Sequence, residues 1–359
     1  MPIQNINLNA RSARVAQKEN ISFVVVDVGA RGGISPEWNC LFSNGIFVGF
    51  DPDEVECNRI NDANPNVRMY PTAIDASVGK KEFFLTESPY CHGFRRVNEE
   101  YFKRFPNYIN NKITGSVMLE TTSLDAWSEE KSLGHADFLK IDTEGTEADV
   151  LSGASKFLIN EKCLGVLTEV WFEPDIKHGS HYGFSVINDF LVERGFRLFD
   201  ISVQRYPRNT LPVGHVSFSV GSDGKVMEAT AHRLYSAWGQ VLTGDLLYFR
   251  DPIAEAMSPG FDAQFWDRDT LIRLMVLLDI YNYQDVAIDI LSYFSNMFEG
   301  NMTAEFLSAL LPHEVIGRSG LFVNIDYDTY FSISLDMFKN MNGGKIDVSY
   351  INKPAFHGK

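Results

Sequence analysis

Between residues 21 and 250 this chain alternates short apolar, β-branched runs with amphipathic stretches, and that alternation restricts the folds open to it more than any other feature. The runs are "FVVVDV" at 23–28, "IFVGF" at 46–50, "NVRMY" at 66–70, "DFLKI" at 137–141, "LGVLTEV" at 164–170, "FRLFDI" at 196–201 and "DLLYF" at 245–249. Most are apolar at consecutive positions, so both faces need cover, which parallel strands between helices receive. The stretch 182–194 puts Phe184, Ile187, Phe190 and Leu191 on one helical face, with Gly195 to stop it. The stretch 147–159 turns Val150, Leu151, Ala154 and Phe157 or Leu158 inward. The expected fold is an α/β, doubly wound, mostly parallel sheet, a type that binds ligands at the carboxyl ends of its strands.

Two regions break the alternation. Residues 86–120 form an insertion rich in aromatics and cations, "YCHGFRRVNEEYFKRF", placed where loops at the carboxyl edge cover a site; it is a candidate cap or lid. After residue 250 the strands give way to helical patterns, ending in "TAEFLSALL" before Pro312. The expected organisation is an N-terminal extension at 1–20, the sheet domain at 21–250 and a helical annex at 251–359. The annex carries more than half of the net charge of −15, and its apolar faces must pack on the sheet domain or on a second copy of the chain.

Acids outnumber Lys and Arg by 47 to 32, a surface that repels a phosphate backbone, so nucleic acid is not an expected partner. The N-terminal stretch lacks the apolar core of a signal peptide, and no run reaches the ~18 apolar residues of a membrane span. A cytoplasmic protein with no membrane partner is expected. Cys40, Cys57, Cys91 and Cys163 stand apart with no CxxC pair, which fits buried free thiols rather than a disulfide framework or zinc knuckle.

The turn after the first run, "VVVDVGARGG", contains Asp27, Gly29 and Gly33. Glycines there let the backbone approach a ligand, but Asp27 stands where a dinucleotide fingerprint requires its first glycine. Its carboxylate would oppose a pyrophosphate and could pair with an ammonium group. Asp51 follows the second run in "VGFDPD", where an acid can accept hydrogen bonds from both hydroxyls of a ribose. A cofactor with a ribose and a cationic amino-acid end satisfies both features, and S-adenosylmethionine has both.

These segments resemble the FkbM family of S-adenosylmethionine-dependent methyltransferases. The resemblance extends through "AIDASVGKKEFFL", "TTSLDAW" and above all "DFLKIDTEGTEADVLSGA", in which Lys140, Asp142, Glu144, Gly145 and Glu147 match the family's KID-x-EG-x-E pattern. It implies the class I methyltransferase fold, a Rossmann-like sheet of seven strands with the last antiparallel. It further implies that Gly29, Ala30 and Gly33 approach the methionine part, that Asp51, followed by Pro52, holds the ribose, and that Ile74 or Asp75 borders the adenine. Arg31 departs from the family's small amide and is placed to shape the cofactor pocket or to meet a substrate carboxylate.

Methyl transfer to a poorly acidic sugar hydroxyl needs alignment and a proton acceptor. Asp142 and Glu169 stand near the tips of adjacent strands, and with Glu144 they form a hard oxygen set that would also suit Mg²⁺. His92 in the insertion, and His178 and His181 in the loop after the fifth run, are alternative bases. Arg95, Arg96, Tyr90 and Trp171 are candidate substrate contacts, through guanidinium forks and aromatic stacking. Thr146 and Asp149 match a capping box, with Glu147 in the first helical turn. Three readings remain open: an O-methyltransferase acting on a small molecule such as a sugar of a glycan or a secondary metabolite, an inactive methyltransferase-like scaffold, and a nicotinamide-dependent oxidoreductase.

Overall fold

A computed structural model describes residues 6–172, 183–210, 215–233, 239–311, 326–341 and 353–356. The seven runs read from the sequence are the seven strands of its main sheet. In chain order the strands are β1 (Phe23–Val28), β2 (Gly45–Phe50), β3 (Val67–Tyr70), β4 (Ala73–Ile74), β5 (Gly79–Thr86) and β6 (Ile113–Thr122). Then come β7 (Phe138–Ile141), β8 (Gly165–Trp171), β9 (Phe196–Tyr206), β10 (His215–Val220), β11 (Val226–Arg233) and β12 (Gln240–Arg250). The main sheet runs β3-β2-β1-β7-β8-β12-β9. Its pairings are parallel from β1 to β7 and from β7 to β8, whereas β12 is antiparallel to both neighbours.

The apolar runs explain the arrangement. Val24, Val26 and Val28 of β1 join Leu139 and Ile141 of β7 and Val166 and Val170 of β8 in one core. The helix Phe184–Glu193 closes over it with Ile187 and Leu191, and its chain reverses at Gly195, where φ is +89°. Val150, Leu151, Ala154, Phe157 and Leu158 are all buried there, as their spacing requires. Their segment is two short helices, Glu147–Ser152 and Phe157–Asn160, rather than one.

Residues 86–120 are not a free-standing lid. Their last part is β6, which pairs antiparallel with β5 and parallel with β4 in a separate three-stranded sheet. Short helical turns at Pro89–Cys91, Glu99–Phe102 and Pro106–Asn111 fill the rest. A hairpin of β10 and β11 lies outside the main sheet.

The chain divides into two compact units over its described residues. One comprises Val24–Ser35 and Gly45–Asp251, and the other Asn5–Phe23, Pro36–Asn44 and Pro252–Lys359. The N-terminal stretch is therefore no separate extension: its helix Ser12–Lys18 belongs with the helices Arg268–Ile280 and Met302–Leu310. Asp279, almost fully buried, ties that unit together by accepting hydrogen bonds from Asn7 Nδ2 (3.0 Å), Ser12 Oγ (2.6 Å) and Gln284 Nε2 (2.9 Å). Among the described residues no helix is long and apolar enough to cross a membrane. All four cysteines are free, with Cys57 and Cys163 buried.

Candidate active site

The carboxyl ends of β1, β2 and β7 open into a cleft of about 270 Å³, walled on the far side by the β5–β6 sheet and the insertion. Gly29 sets the turn after β1. Its φ is +86°, its amide and that of Ala30 both donate to the Phe50 carbonyl at 3.0 Å, and a Cβ there would stand 1.9 Å from the Asp142 carbonyl oxygen. Only glycine fits such an approach. Ala30 is buried, and neither it nor Gly33 lines the cleft.

Asp51 lines the cleft with Pro52 and is 6% exposed. Burial raises its pKa, against the pull of the Asp53 amide, which donates to Asp51 Oδ1 at 2.8 Å, and of Arg31. Arg31 reaches both neighbouring acids, 3.6 Å from Asp51 Oδ1 and 3.0 Å from Asp53 Oδ2. Asp53 in turn caps the helix Glu54–Ala63 by accepting from the Val55 and Glu56 amides. Ile74 faces the cleft beside Leu85, Val117 and Leu119, an apolar slot suited to a flat ring.

Two further expected cofactor contacts also lie outside the cleft lining. Asp75 is buried and bonded to Lys81 Nζ at 3.0 Å, outside the cleft lining. Asp27, also buried, pairs with Lys140 Nζ at 3.2 Å, because β1 and β7 set the two residues side by side. An intramolecular ammonium thus occupies the carboxylate that the sequence reading gave to a ligand's amino group. Lys140 also reaches within 3.8 Å of Asp142 Oδ2.

Asp142 and Glu144 both line the cleft, in a tight turn with left-handed φ at Glu144 (+58°) and Gly145 (+105°). Glu147 holds that turn. Its Oε1 accepts from the Thr143 amide (3.0 Å), the Gly145 amide (2.9 Å) and Thr143 Oγ1 (3.2 Å). The expected capping box does not form: Thr146 gives no side-chain cap and its hydroxyl bonds Thr143 Oγ1 instead. Burial, with the Asp142 charge beside it, pushes the Glu144 pKa up to about 8. The Glu169 pKa is raised well above the usual carboxylate range, first by burial and then by Glu144 and Asp142.

His92 lines the cleft, but its Nδ1 accepts the Thr86 amide at 3.0 Å. The neutral ring therefore carries its proton on Nε2, and burial, then Arg31, lowers its pKa. It presents a donor rather than a base. His178 and His181 lie outside the described residues. Asp142, Glu144 and Glu169 do not gather as metal ligands: among the described residues no three His, Cys, Asp or Glu side chains are placed to hold an ion. Asp142 and Glu169 instead keep the spacing of adjacent strands.

The expected substrate residues separate in the same way. Tyr90 lines the cleft and is 65% exposed. Arg96 is exposed and is not part of the cleft lining. Arg95 is 4% exposed, its guanidinium 3.8 Å from the Trp171 ring centroid and 5.3 Å from that of Phe102. That stack fastens the insertion to the end of β8 and covers Trp171, which is itself buried. Gly93 brings the insertion against the acid turn as well, where a Cβ would meet the Thr143 carbonyl at 3.2 Å.

No curated protein matches the chain. Among solved structures it is similar to methyltransferase FkbM from Methylobacillus flagellatus KT, at 11% identity and TM-score 0.33 over 64% of this chain and 44% of that one. It thus spans under half the length of that protein. It is similar too to magnesium protoporphyrin IX methyltransferase from Synechocystis PCC 6803 with bound SAM, at 10% identity and TM-score 0.31 over 68% and 77% of the two chains. Precorrin-6y C5,15-methyltransferase from Geobacter metallireducens GS-15 aligns at 11% identity and TM-score 0.30 over 67% and 87%. The family model described as the methyltransferase FkbM domain matches residues 27–198, the stretch that builds the cleft.

Proposed function

We propose that this protein is an S-adenosylmethionine-dependent O-methyltransferase acting on a hydroxyl of a small molecule, such as a sugar of a glycan or a secondary metabolite. The observation that carries the reading is that one cleft joins the Gly29 turn and Asp51 to Asp142 and Glu144. The residues fit the cofactor. Gly29 presents backbone without a Cβ, Asp51 offers a buried carboxylate for the ribose hydroxyls, and Ile74 with Leu85 and Val117 suits the adenine. When bound, S-adenosylmethionine supplies a methyl group on a cationic sulfur that leaves as a neutral thioether.

The chain's own part is to place the acceptor oxygen and receive its proton. Asp142 and Glu144 stand at the mouth of the cofactor end, and a carboxylate with a pKa near 8 takes a proton from a hydroxyl more readily than an ordinary one. As the acceptor O–H bond breaks toward this pair, its oxygen forms the new bond to carbon. Four free cysteines fit a reducing compartment such as the cytoplasm.

The test is methyl transfer from labelled S-adenosylmethionine to a panel of monosaccharides and glycosides, read as the mass of one added methyl group. Asp142→Asn should lose turnover while retaining the cofactor. Full activity in Asp142→Asn would remove that residue from the chemistry.

A further inference from the structure

From Asp142 at the cleft a row of carboxylates continues along the main sheet to Glu169 and Asp245, which lie outside the cleft lining. Asp142 follows the Ile141–Thr168 pair of β7 and β8, so it is level with Glu169, and Glu169 pairs directly with Asp245 of β12. Side chains at such positions share one face and stand about 5 Å from their neighbours. Thr243 and Trp171, the next pair, belong to the same face.

Two atoms there lack partners. Glu169 Oε2 is buried with no hydrogen bond, and so is the hydroxyl of Thr243, a residue only 1% exposed. Buried polar atoms are rarely left this way unless something else meets them. Among the described residues the acids also outnumber the cations. Asp142, Glu144, Glu169 and Asp245 face Lys140, which is shared with Asp27, and Arg95, which stacks on Trp171. Burial, then the Asp142 charge, pushes the Asp245 pKa up to about 6, against the opposing pull of the chain's terminal ammonium and of Lys140. Glu147 is engaged elsewhere, its Oε1 accepting from the Thr143 and Gly145 amides.

The chemistry of the occupant follows. A neutral sugar would use an aromatic platform, but the face of Trp171 is taken by Arg95 at 3.8 Å and the Phe102 ring lies 5.5 Å away, edge-on. A metal ion needs converging ligands, which the described residues do not provide. A protonated amine donates three hydrogen bonds, adds positive charge beside the acids and fits carboxylates spread along adjacent strands.

We infer that Glu169, Asp245 and Thr243 form an anchoring subsite for the methyl acceptor and that this acceptor carries a protonated amine. The inference rests on the methyl-transfer reading: the ammonium sits over β8 and β12, and a hydroxyl of the same molecule stands at Asp142 and Glu144. The net charge of −15 would draw such an acceptor in.

The test is calorimetric titration of the full chain, saturated with S-adenosylhomocysteine, using D-glucosamine and its neutral counterpart N-acetyl-D-glucosamine as probes. Glucosamine should bind roughly tenfold more tightly or better, and Glu169→Gln and Asp245→Asn should each remove most of that preference. Both variants should bind S-adenosylhomocysteine as the parent does, which also shows that they fold. Equal binding of the two sugars, no binding of glucosamine at tens of millimolar, or an undiminished preference in both variants would overturn the subsite. Loss of S-adenosylhomocysteine binding by the parent is a separate result: it would defeat the methyltransferase reading, and glucosamine titrated alone would still test the subsite.

Discussion

At the scale of single residues, the site depends on a backbone that comes too close for any side chain but hydrogen. Gly29→Ala adds a methyl 1.9 Å from the Asp142 carbonyl at a φ of +86°, so the turn must open. Thermal melting should show a loss of about 3 kcal/mol or more, together with lost cofactor affinity. Glu144 makes the opposite kind of contribution. Its proton affinity is raised because burial opposes its charge, so its folded form is favoured at low pH and loses stability as pH climbs from the ordinary carboxylate range through about 8. A base must be ionised, so turnover should rise over the same range and level off above about 8. In Glu144→Gln both slopes should vanish; a rising limb that persists would assign the base elsewhere. Asp142 and Glu144 were legible in the sequence, because the end of an apolar strand locates them at a sheet edge. The roles of Lys140 and Glu147 were not. Whether Asp27 meets a ligand or Lys140 depends on strand register, and whether Glu147 caps a helix or clamps a turn depends on the path of residues 143–146.

At the scale of elements, the insertion is fixed to the sheet through Arg95 rather than offering it to a substrate. Arg95→Ala would remove the guanidinium between Trp171 and Phe102, at a cost of about 2 kcal/mol. Turnover should fall roughly tenfold or more as the cap loosens, since misplacing a positioning element is expensive. Binding of S-adenosylhomocysteine should change little. Arg96→Ala, in an exposed side chain outside the cleft, should leave both unchanged, and a comparable loss in the two variants would contradict the difference assigned to them. The central strands β1, β7 and β8 were readable because burial on both faces demands continuous apolar runs. The strands β5 and β6 carried no such signal. "GKKEFFLT" and "ITGSVMLETT" are mostly part-buried or exposed, so they lack the continuous apolar run of a central strand. The Asp245 position in the acid row left a trace in the sequence, an acid opening the run "DLLYF". Its register opposite Glu169 appears only once the sheet is assembled.

At the scale of the whole molecule, the chain has two cores. The helical unit draws in the N-terminal helix Ser12–Lys18 through Asp279, which is 1% exposed and accepts from Asn7, Ser12 and Gln284. Asp279→Ala would strand those donors, and melting should show about 3 kcal/mol lost, with cofactor affinity kept. Residues distant in the chain meet in this unit, so the division at residue 251 alone could be read along the sequence. The claim on which the rest depends is that the cleft at Gly29 and Asp51 holds the methyl donor. Isothermal titration of S-adenosylhomocysteine into the full chain measures it most directly. Binding in the micromolar range is expected, about −8 kcal/mol, and Asp51→Asn should weaken it roughly tenfold. Absence of heat with both S-adenosylhomocysteine and S-adenosylmethionine, or an Asp51→Asn protein that binds as tightly as the parent, would contradict it.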